Sequence, residues 1–188
     1  MKLTSIARNA ALVCMAAMLG LGAWIGYLYV SGNFHEVVPG KFYRSAQLSP
    51  EALGRYIDRY GIKTVINLRG ENLSSDWYNR EVEAVRAHNA TFVNFRMSAK
   101  RALDSQQSEA LIATMRNAET PILVHCQGGA DRSGLASVMY LQQIAGVDEE
   151  AAEWQLSPLY GHINLPFMKS YAMDDTWEAF EKYIGLPS

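Results

Sequence analysis

The chain has 188 residues, 49% of them apolar, and a formal net charge of −2. This length and apolar content are enough for the core of one ordinary domain plus an appendage. The balance of charges lacks the basic surplus that nucleic-acid-binding proteins show, so we expect no nucleic-acid partner.

The N-terminal segment differs from the rest of the chain. Residues 10–30 contain no charged side chain, and Trp24, Tyr27 and Tyr29 lie near their end. At ~1.5 Å per residue a helix of this length covers roughly 30 Å, the thickness of the hydrocarbon core of a bilayer, and aromatic residues favour its interfaces. We predict a membrane anchor over residues 1–30. The alternative is a cleaved signal segment, although no clear Ala-x-Ala site precedes residue 31.

The flanks of this segment predict its orientation. Lys2 and Arg8 precede the apolar run, which favours a cytoplasmic N-terminus and places the remaining chain outside the cytoplasm, in the periplasm of a Gram-negative host. Gly22 and Gly26 form a small-xxx-small pair that supports dimerisation of the anchor, but such pairs are common in membrane helices.

The sequence after the anchor predicts a linker over residues 31–40 and one domain over residues 41–188. Short β-branched runs alternate with segments of helical periodicity, which is typical of an α/β fold. The predicted strands are residues 41–44, 63–68, 91–95 and 121–124, and the predicted helices are 50–60, 77–88, 105–117, 133–144, 148–156 and 174–184. We therefore expect a central, mostly parallel sheet flanked by helices, with a site at the carboxyl ends of its strands.

The segment after the fourth predicted strand carries the strongest chemical signal. It reads His125-Cys126-Gln127-Gly128-Gly129-Ala130-Asp131-Arg132-Ser133-Gly134 and leads directly into a helix. A glycine-rich loop at a helix N-terminus can point backbone N–H groups at a phosphate, and an arginine can hold two phosphate oxygens. The sequence thus predicts a phosphate-binding loop over residues 126–132.

The same positive features favour the thiolate form of Cys126, the nucleophile. Cys126 is the one cysteine after the anchor, since Cys14 lies within the apolar run. Ser133 is placed to donate a hydrogen bond to the sulfur as it leaves, and His125 to orient the loop. The bland alternative is a buried cysteine beside a glycine-rich turn.

The pattern Cys126-x5-Arg132, with His125 before it and Ser133-Gly134 after it, resembles the dual-specificity branch of the protein tyrosine phosphatases. Tyr43-Arg44-Ser45 and the run from Ile62 to Arg69 are also similar to the opening strands of its compact members. The resemblance implies metal-free hydrolysis of phosphate monoesters in two steps, through a phosphocysteine and without a cofactor.

The general acid is ambiguous between two aspartates. The family usually supplies it from a separate loop, and Asp104 is the one carboxylate between residues 96 and 105. Asp104 can equally begin the following helix, where the helix dipole favours a negative charge. Asp131, inside the loop, resembles the acid of bacterial members that act on phosphoinositides, although those enzymes have lysine where this chain has Ala130.

Several basic residues outside the loop have two readings. Arg96, Lys100 and Arg101 form either a positive rim for anionic substrates or an ordinary solvated loop. Arg69 lies either at the site or in a structural ion pair. His162 is either a contact or a loop filler, and we favour filler.

The leading hypothesis is a phosphatase that acts on phosphotyrosine proteins or on a phosphorylated lipid or sugar head group at the membrane. A pseudophosphatase that binds phosphorylated partners is the non-catalytic alternative. A rhodanese-like sulfurtransferase is a third possibility, but its loop is typically shorter.

Overall fold

The structure is a computed structural model that describes residues 2–186, with side chains from residue 7 onward. The side chain of Lys2, which entered the topology prediction, lies outside the described residues. The first element, α1 (Lys2–Val30), is one continuous helix. Its segment Ala7–Val30 is long and apolar enough to cross a membrane, and none of it is buried in the protein; a signal sequence passes the same test of length and composition.

Five strands form one sheet in the order β1-β2-β5-β3-β4. β1 pairs antiparallel with β2, and the other pairs are parallel, which confirms the predicted mostly parallel sheet. The strands are β1 (His35–Val38), β2 (Phe42–Ser45), β3 (Thr64–Asn67), β4 (Thr91–Asn94) and β5 (Ile122–His125).

Within residues 2–186, six α-helices follow α1, at positions close to the predicted ones. They are α2 (Pro50–Tyr60), α3 (Asp76–Ala87), α4 (Ser105–Asn117), α5 (Asp131–Gln143), α6 (Glu149–Glu153) and α7 (Ala172–Ile184). Helix α2 shows why prediction was possible: the Ser49 side chain caps it with proline at its start, and Gly61 ends it in the left-handed conformation.

The alternation of side chains on the strands divides the core into two layers. Ile122 and Val124 of β5 face a cluster that includes residues of α4, α5 and α7. Leu123 faces the opposite layer, built with Leu53 and Ile57 of α2. All four residues of β5 are buried, as expected for a central strand covered on both faces.

Residues 31–40 differ from the predicted linker, because they contain β1. Gly40 has φ +68, and the Lys41 N–H donates to the carbonyl of Val38, so the chain reverses in a tight turn and β1 pairs with β2. Pro39 and Gly40 were the available signal for this hairpin. The segment therefore belongs to the sheet.

The position of β5 decides where the site lies. β5 is flanked by β2 and β3 in parallel register, so the carboxyl ends of all three strands meet at one edge of the sheet. The predicted loop leaves β5 at that edge. The segments that follow β2, β3 and β4 surround it there.

Candidate phosphate-binding site

The loop from Cys126 to Ala130 joins the buried strand β5 to the N-terminus of α5. Gly129 has φ +70, and a Cβ there would lie 2.5 Å from the backbone nitrogen of Ala46. Glycine is required at this position by both conformation and space. A Cβ at Gly128 would meet nothing within 4 Å, so the predicted steric reason holds for one of the two glycines.

Cys126 and Ser133 are brought together at the base of the loop. The Ser133 hydroxyl lies 3.0 Å from Cys126 Sγ and is oriented as a donor to the sulfur. Cys126 is 2% exposed and Ser133 is fully buried. A hydroxyl that donates to sulfur in this enclosed place stabilises a thiolate better than a thiol, as a nucleophile or leaving group requires.

Arg132 lies in the first turn of α5 with its guanidinium directed across the ends of neighbouring strands. Nη1 makes long contacts of 3.4 Å to the carbonyl oxygens of Leu68 and Met97. Nε is enclosed and donates to no acceptor among the described residues. An unpaired, buried guanidinium N–H is costly, so this arrangement favours a bound anion as its acceptor.

Arg44, from the end of β2, supports the loop from below. Its side chain is fully buried, and Nη2 donates to the carbonyls of Gly129 and Ala130, each at 2.8 Å. Nη1 donates to the backbone and side-chain oxygens of Gln155, and the guanidinium lies over the ring of Tyr160. Burial lowers the pKa of Arg44 to about 10, which still leaves it charged at neutral pH.

Asn33 is a second support that sequence reasoning missed. It is 3% exposed, and its side-chain amide donates to the carbonyls of Gly128 and Tyr160, at 3.0 and 2.9 Å. Its φ of 47° is unusual for a residue other than glycine, although asparagine tolerates it. The residues that follow α1 thus hold the loop directly.

A polar chain runs from the loop to the ends of β2 and β3. His125 Nε2 lies 2.7 Å from Glu81 Oε1 with both side chains buried, although the oxygen is out of line for a full hydrogen bond. Gln47 donates to the other oxygen of Glu81 and accepts from Arg69. The guanidinium of Arg69 stacks on Trp77, 3.6 Å from the ring centroid.

These contacts place Arg69 near the site, which agrees with one of the two roles that the sequence allowed for it. Burial lowers the pKa of Arg69, as does the charge of Arg132, whereas the charges of Glu81 and Cys126 raise it. The arginine therefore adds positive charge beside Arg132. His125 is fixed between β5 and α3, a placement suited to orienting the loop.

His162 is fully buried and bridges two aspartates, which differs from the favoured filler reading. Nδ1 lies 2.8 Å from Asp131 Oδ1, and Nε2 lies 2.9 Å from Asp174 Oδ2. Burial would lower the pKa of His162, but hydrogen bonds and charge from both aspartates outweigh it and raise the pKa to about 9. The ring thus carries both protons at neutral pH and donates to both carboxylates.

This bridge gives Asp131 a structural contact as well as its place in the loop. Because Oδ1 lies within hydrogen-bonding distance of His162 Nδ1, this oxygen is engaged in a contact that supports the fold. The bridge also joins the start of α5 to the start of α7. A lone histidine in a glycine-containing loop offered no sequence signal for it.

Asp104 lies at the start of α4, where its side chain caps the helix. Its Oδ1 accepts from the backbone N–H of Gln107 at 2.8 Å, and the Gln107 side chain accepts from the N–H of Asp104, which is a complete capping box. Asp104 is exposed, and it is absent from the lining of the cleft beside Arg132. Its geometry agrees with the helix-start reading.

A cleft of about 560 Å³ opens beside Arg132. Four arginines line it, Arg69, Arg96, Arg101 and Arg132, and its lining contains no carboxylate among the described residues. Lys100 does not line this cleft. The arrangement brings together two of the three predicted rim residues, together with Arg69, and makes a positive field at the substrate side of the loop.

A second cleft, of about 1210 Å³, lies on the other side of the loop and extends to α2. The last turn of α1 contributes Leu28, Tyr29 and Val30 to its lining, next to Gln127 and Gly128. Trp24 also makes a long hydrogen bond to the carbonyl of Pro158. The end of the apolar helix therefore lies against the loop.

Comparison with known proteins identifies a family. A model described as "Tyrosine phosphatase family" matches residues 25–170. No curated protein matches the sequence. The family match includes the last turns of α1, whose end lines a cleft beside the loop, and the whole of β1.

Solved structures show the same fold at low identity. P. aeruginosa TpbA, crystallised as a Cys-to-Ser variant with pTyr, is 20% identical, with a TM-score of 0.61, and the match covers 80% of this chain and 91% of that one. The catalytic domain of the PP-IP phosphatase SIW14 from S. cerevisiae is 17% identical, with 81% and 93% covered and a TM-score of 0.57. PTPMT1 is 12% identical, with 81% and 98% covered and a TM-score of 0.58.

The first prediction concerns stability and pH. The pKa of His162 is about 9 in the fold against an ordinary 6.5, so its contribution is complete below pH 6.5 and is lost as pH rises through 9. We expect His162→Gln to cost at most ~3 kcal/mol of unfolding free energy near pH 6, and less at pH 9. Urea unfolding of both proteins across this range measures the difference.

The control for this experiment is His88→Gln. His88 contacts Asp58 on the surface, where its side chain is 34% exposed. Its substitution should change stability little at any pH. A difference between wild type and His162→Gln that does not shrink between pH 6 and 9 would contradict the charged bridge.

The second prediction separates the two aspartates by their effect on turnover. Asparagine is as good an N-cap as aspartate, so Asp104→Asn should preserve α4. It should also leave the turnover of a substrate with a poor leaving group, such as an alkyl phosphate, nearly unchanged. Asp131→Asn weakens the contact to His162 and should lower stability, with a loss of turnover below the ~100-fold typical of a general acid. Steady-state kinetics on alkyl and aryl phosphates, with thermal unfolding, measure both. A ~100-fold loss confined to the alkyl phosphate would identify that aspartate as the acid.

Proposed function

Because the chain belongs to the tyrosine phosphatase family, whose membership supports phosphatase activity, we propose that it hydrolyses phosphate monoesters through a phosphocysteine on Cys126. The observation that carries the proposal is the buried pair of Cys126 and Ser133, with Sγ and Oγ 3.0 Å apart at the base of a loop that enters a helix. This is the phosphatase chemistry that the family resemblance of residues 125–134 implies.

The reaction has two displacements at phosphorus. The Cys126 thiolate attacks the phosphate, a P–S bond forms, the P–O bond breaks, and the leaving group departs as its anion, which takes a proton from solvent. Water then attacks phosphorus and loses a proton to solvent, the P–S bond breaks, and inorganic phosphate and the thiolate are released. The hydroxyl of Ser133 stabilises the departing sulfur in this second step.

Arg132 and the loop amides hold the transferred group. The enclosed Nε of Arg132 donates to a phosphate oxygen, and the N-terminus of α5 adds partial positive charge at the same place. These donors stabilise charge spread over the equatorial oxygens of the transition state. The proposed chemistry requires no metal ion.

The contacts of the two aspartates bear on the leaving group. With Asp131 accepting from His162 and Asp104 capping α4, each carboxylate has a structural contact, and we assign neither of them as the donor to the leaving oxygen. A phenolate leaves with less help than an alkoxide, because the phenol is the stronger acid. Phosphotyrosine is therefore favoured over alkyl phosphates.

The cleft lined by four arginines favours a more specific class of substrate. Arg69, Arg96 and Arg101 line the same cleft as Arg132, and we place the groups attached to the phosphate in this cleft. A substrate with a second anionic group gains from this field. We propose phosphotyrosine flanked by acidic residues as the substrate class.

A phosphorylated lipid or sugar head group is the second candidate. It is favoured by the contact between the end of α1 and the loop, which places the site close to the membrane surface if α1 is an anchor. With α1 inserted as predicted, the site faces the outer side. The TpbA structure with pTyr supports the first candidate by analogy of fold.

The third prediction tests the nucleophile in the full chain, purified in detergent because α1 contributes to the loop's surroundings. Cys126→Ser should abolish hydrolysis of an aryl phosphate, whereas the matched control Cys14→Ser should retain it. Vanadate should inhibit the wild type, and a chelator should not.

Ser133→Ala should slow breakdown of the phosphoenzyme by roughly 10–100-fold, because a charge-assisted hydrogen bond to the sulfur is lost. With an aryl phosphate as substrate, the slower second step should appear as an initial burst of released phenol.

Activity that survives Cys126→Ser would refute the phosphocysteine. A wild-type chain that binds phosphotyrosine peptides without turning them over would instead support the pseudophosphatase reading.

The fourth prediction tests the arginine cleft. Arg101→Gln should raise KM for an acidic phosphotyrosine peptide roughly fivefold, because one exposed charge contact is worth about 1 kcal/mol. It should leave KM unchanged for a small aryl phosphate that has no second anionic group. Arg86→Gln, at the exposed end of α3, is the charge-matched control. A greater effect of Arg101→Gln on a bisphosphorylated head group than on the peptide would favour the second candidate.

A further inference from the structure

A second group of ionisable side chains lies away from the phosphate loop, where α6 meets α7. Glu149 and Glu153 of α6 and Glu181 of α7 each offer one carboxylate oxygen, and these three atoms lie within 4.8 Å of one another. Like charges this close repel strongly unless a proton or a cation lies between them.

Glu181 distinguishes this group from an ordinary acidic surface. It is 2% exposed, and its Oε1 is enclosed and accepts no hydrogen bond from the described residues. An unpaired, buried carboxylate oxygen carries a large desolvation cost, which a positively charged ligand removes. Burial and the neighbouring Glu149 and Glu153 also raise the pKa of Glu181 to about 8.

The surroundings add negative charge and leave space. A cleft of about 790 Å³ is lined by six carboxylates, with Lys182 as the one basic residue in that lining among the described residues; the six are Asp148, Glu149, Glu150, Glu153, Glu178 and Glu181. One oxygen of Glu153 is held in place because Trp177 Nε1 donates to it at 2.9 Å.

We propose that Glu149, Glu153 and Glu181 bind a hard divalent cation, Ca²⁺ in the first instance. All the donors are carboxylate oxygens, the ligands that Ca²⁺ and Mg²⁺ prefer over softer metals. Opposite oxygens in a Ca²⁺ shell are roughly 4.6–5.2 Å apart, so three oxygens with this spacing fit within one shell. Ca²⁺ also tolerates irregular geometry completed by water, whereas Mg²⁺ demands a near-ideal octahedron.

The position of the site gives the cation a structural role. A cation bound there joins the five-residue helix α6 to α7. Helix α6 is followed closely by Gln155, whose two oxygens accept from Arg44. Arg44 in turn holds the carbonyls of Gly129 and Ala130. A cation at this joint therefore stabilises the support of the phosphate loop and takes no part in the proposed chemistry.

The test uses the full chain in a neutral detergent and phosphate-free buffer, after treatment with a chelator. Addition of Ca²⁺ to ~100-fold above its Kd should raise the thermal midpoint by roughly 5–10 °C, with saturation at one ion per chain by calorimetry. Mg²⁺ should act more weakly, and Na⁺ at equal ionic strength should not reproduce the effect. Tryptophan fluorescence should change with the same saturation, because Trp177 contacts a ligand residue, and Trp177→Phe should remove that change.

Glu181→Gln is the decisive variant. It keeps the shape of the side chain but cannot take on the negative charge that a bound cation requires, so it should fold at least as stably as the calcium-free wild type and should lose the Ca²⁺ response. Glu178→Gln, an exposed residue of the same helix and cleft, is the matched control and should keep it. The proposal is overturned if Ca²⁺ produces no saturable shift in the wild type, or if Glu181→Gln responds as the wild type does.

Discussion

Arg44 carries a positive charge into the interior of the protein, where the carbonyls of Gly129 and Ala130 and two oxygens of Gln155 surround its guanidinium. A loop that points its amides toward an anion turns carbonyl oxygens the other way, and those oxygens need donors. Arg44 supplies them from β2. The same side chain ties the loop to the segment after α6, so the loop's curvature depends on elements far apart in the sequence.

The second constraint is the distribution of charge around the loop. Positive side chains lie on the substrate side, in the cleft that contains Arg132 and Arg101. The nearby carboxylates are each engaged: Asp131 with His162, Glu81 with His125 and Gln47. In the proposed reaction, an anionic substrate therefore meets donors without facing an unpaired carboxylate. The contacts of Asp131 and Asp104 also underlie the proposed preference for a phenolate leaving group.

The apolar helix α1 is part of this arrangement as well as a candidate anchor. Its last turn lines the cleft beside Gln127 and Gly128, and Asn33, just beyond it, donates to the loop. The family model begins within this helix, at residue 25. Removal of residues up to 30 would therefore expose part of the loop's surroundings, and for this reason the full chain is the suitable material for kinetics.

The sequence by itself determined the fold class, most of the helices and strands, and the loop with Cys126, Arg132 and Ser133. These are local properties, because they depend on side-chain periodicity, on capping residues and on one contiguous motif that contains all the residues of the loop. The mostly parallel sheet followed because strands and helices alternate, and the structure confirms it.

Only the tertiary structure decided which distant polar residues meet. The burial of His162 between Asp131 and Asp174 and the support from Asn33 and Arg44 depend on contacts between residues up to 127 positions apart, and only the structure shows the capping role of Asp104. A short polar residue in a loop has the same sequence appearance whether it faces solvent or a buried charge. The residues of the proposed phosphate-binding loop could therefore be predicted from their order in the chain, whereas the residues that hold the loop in place could not.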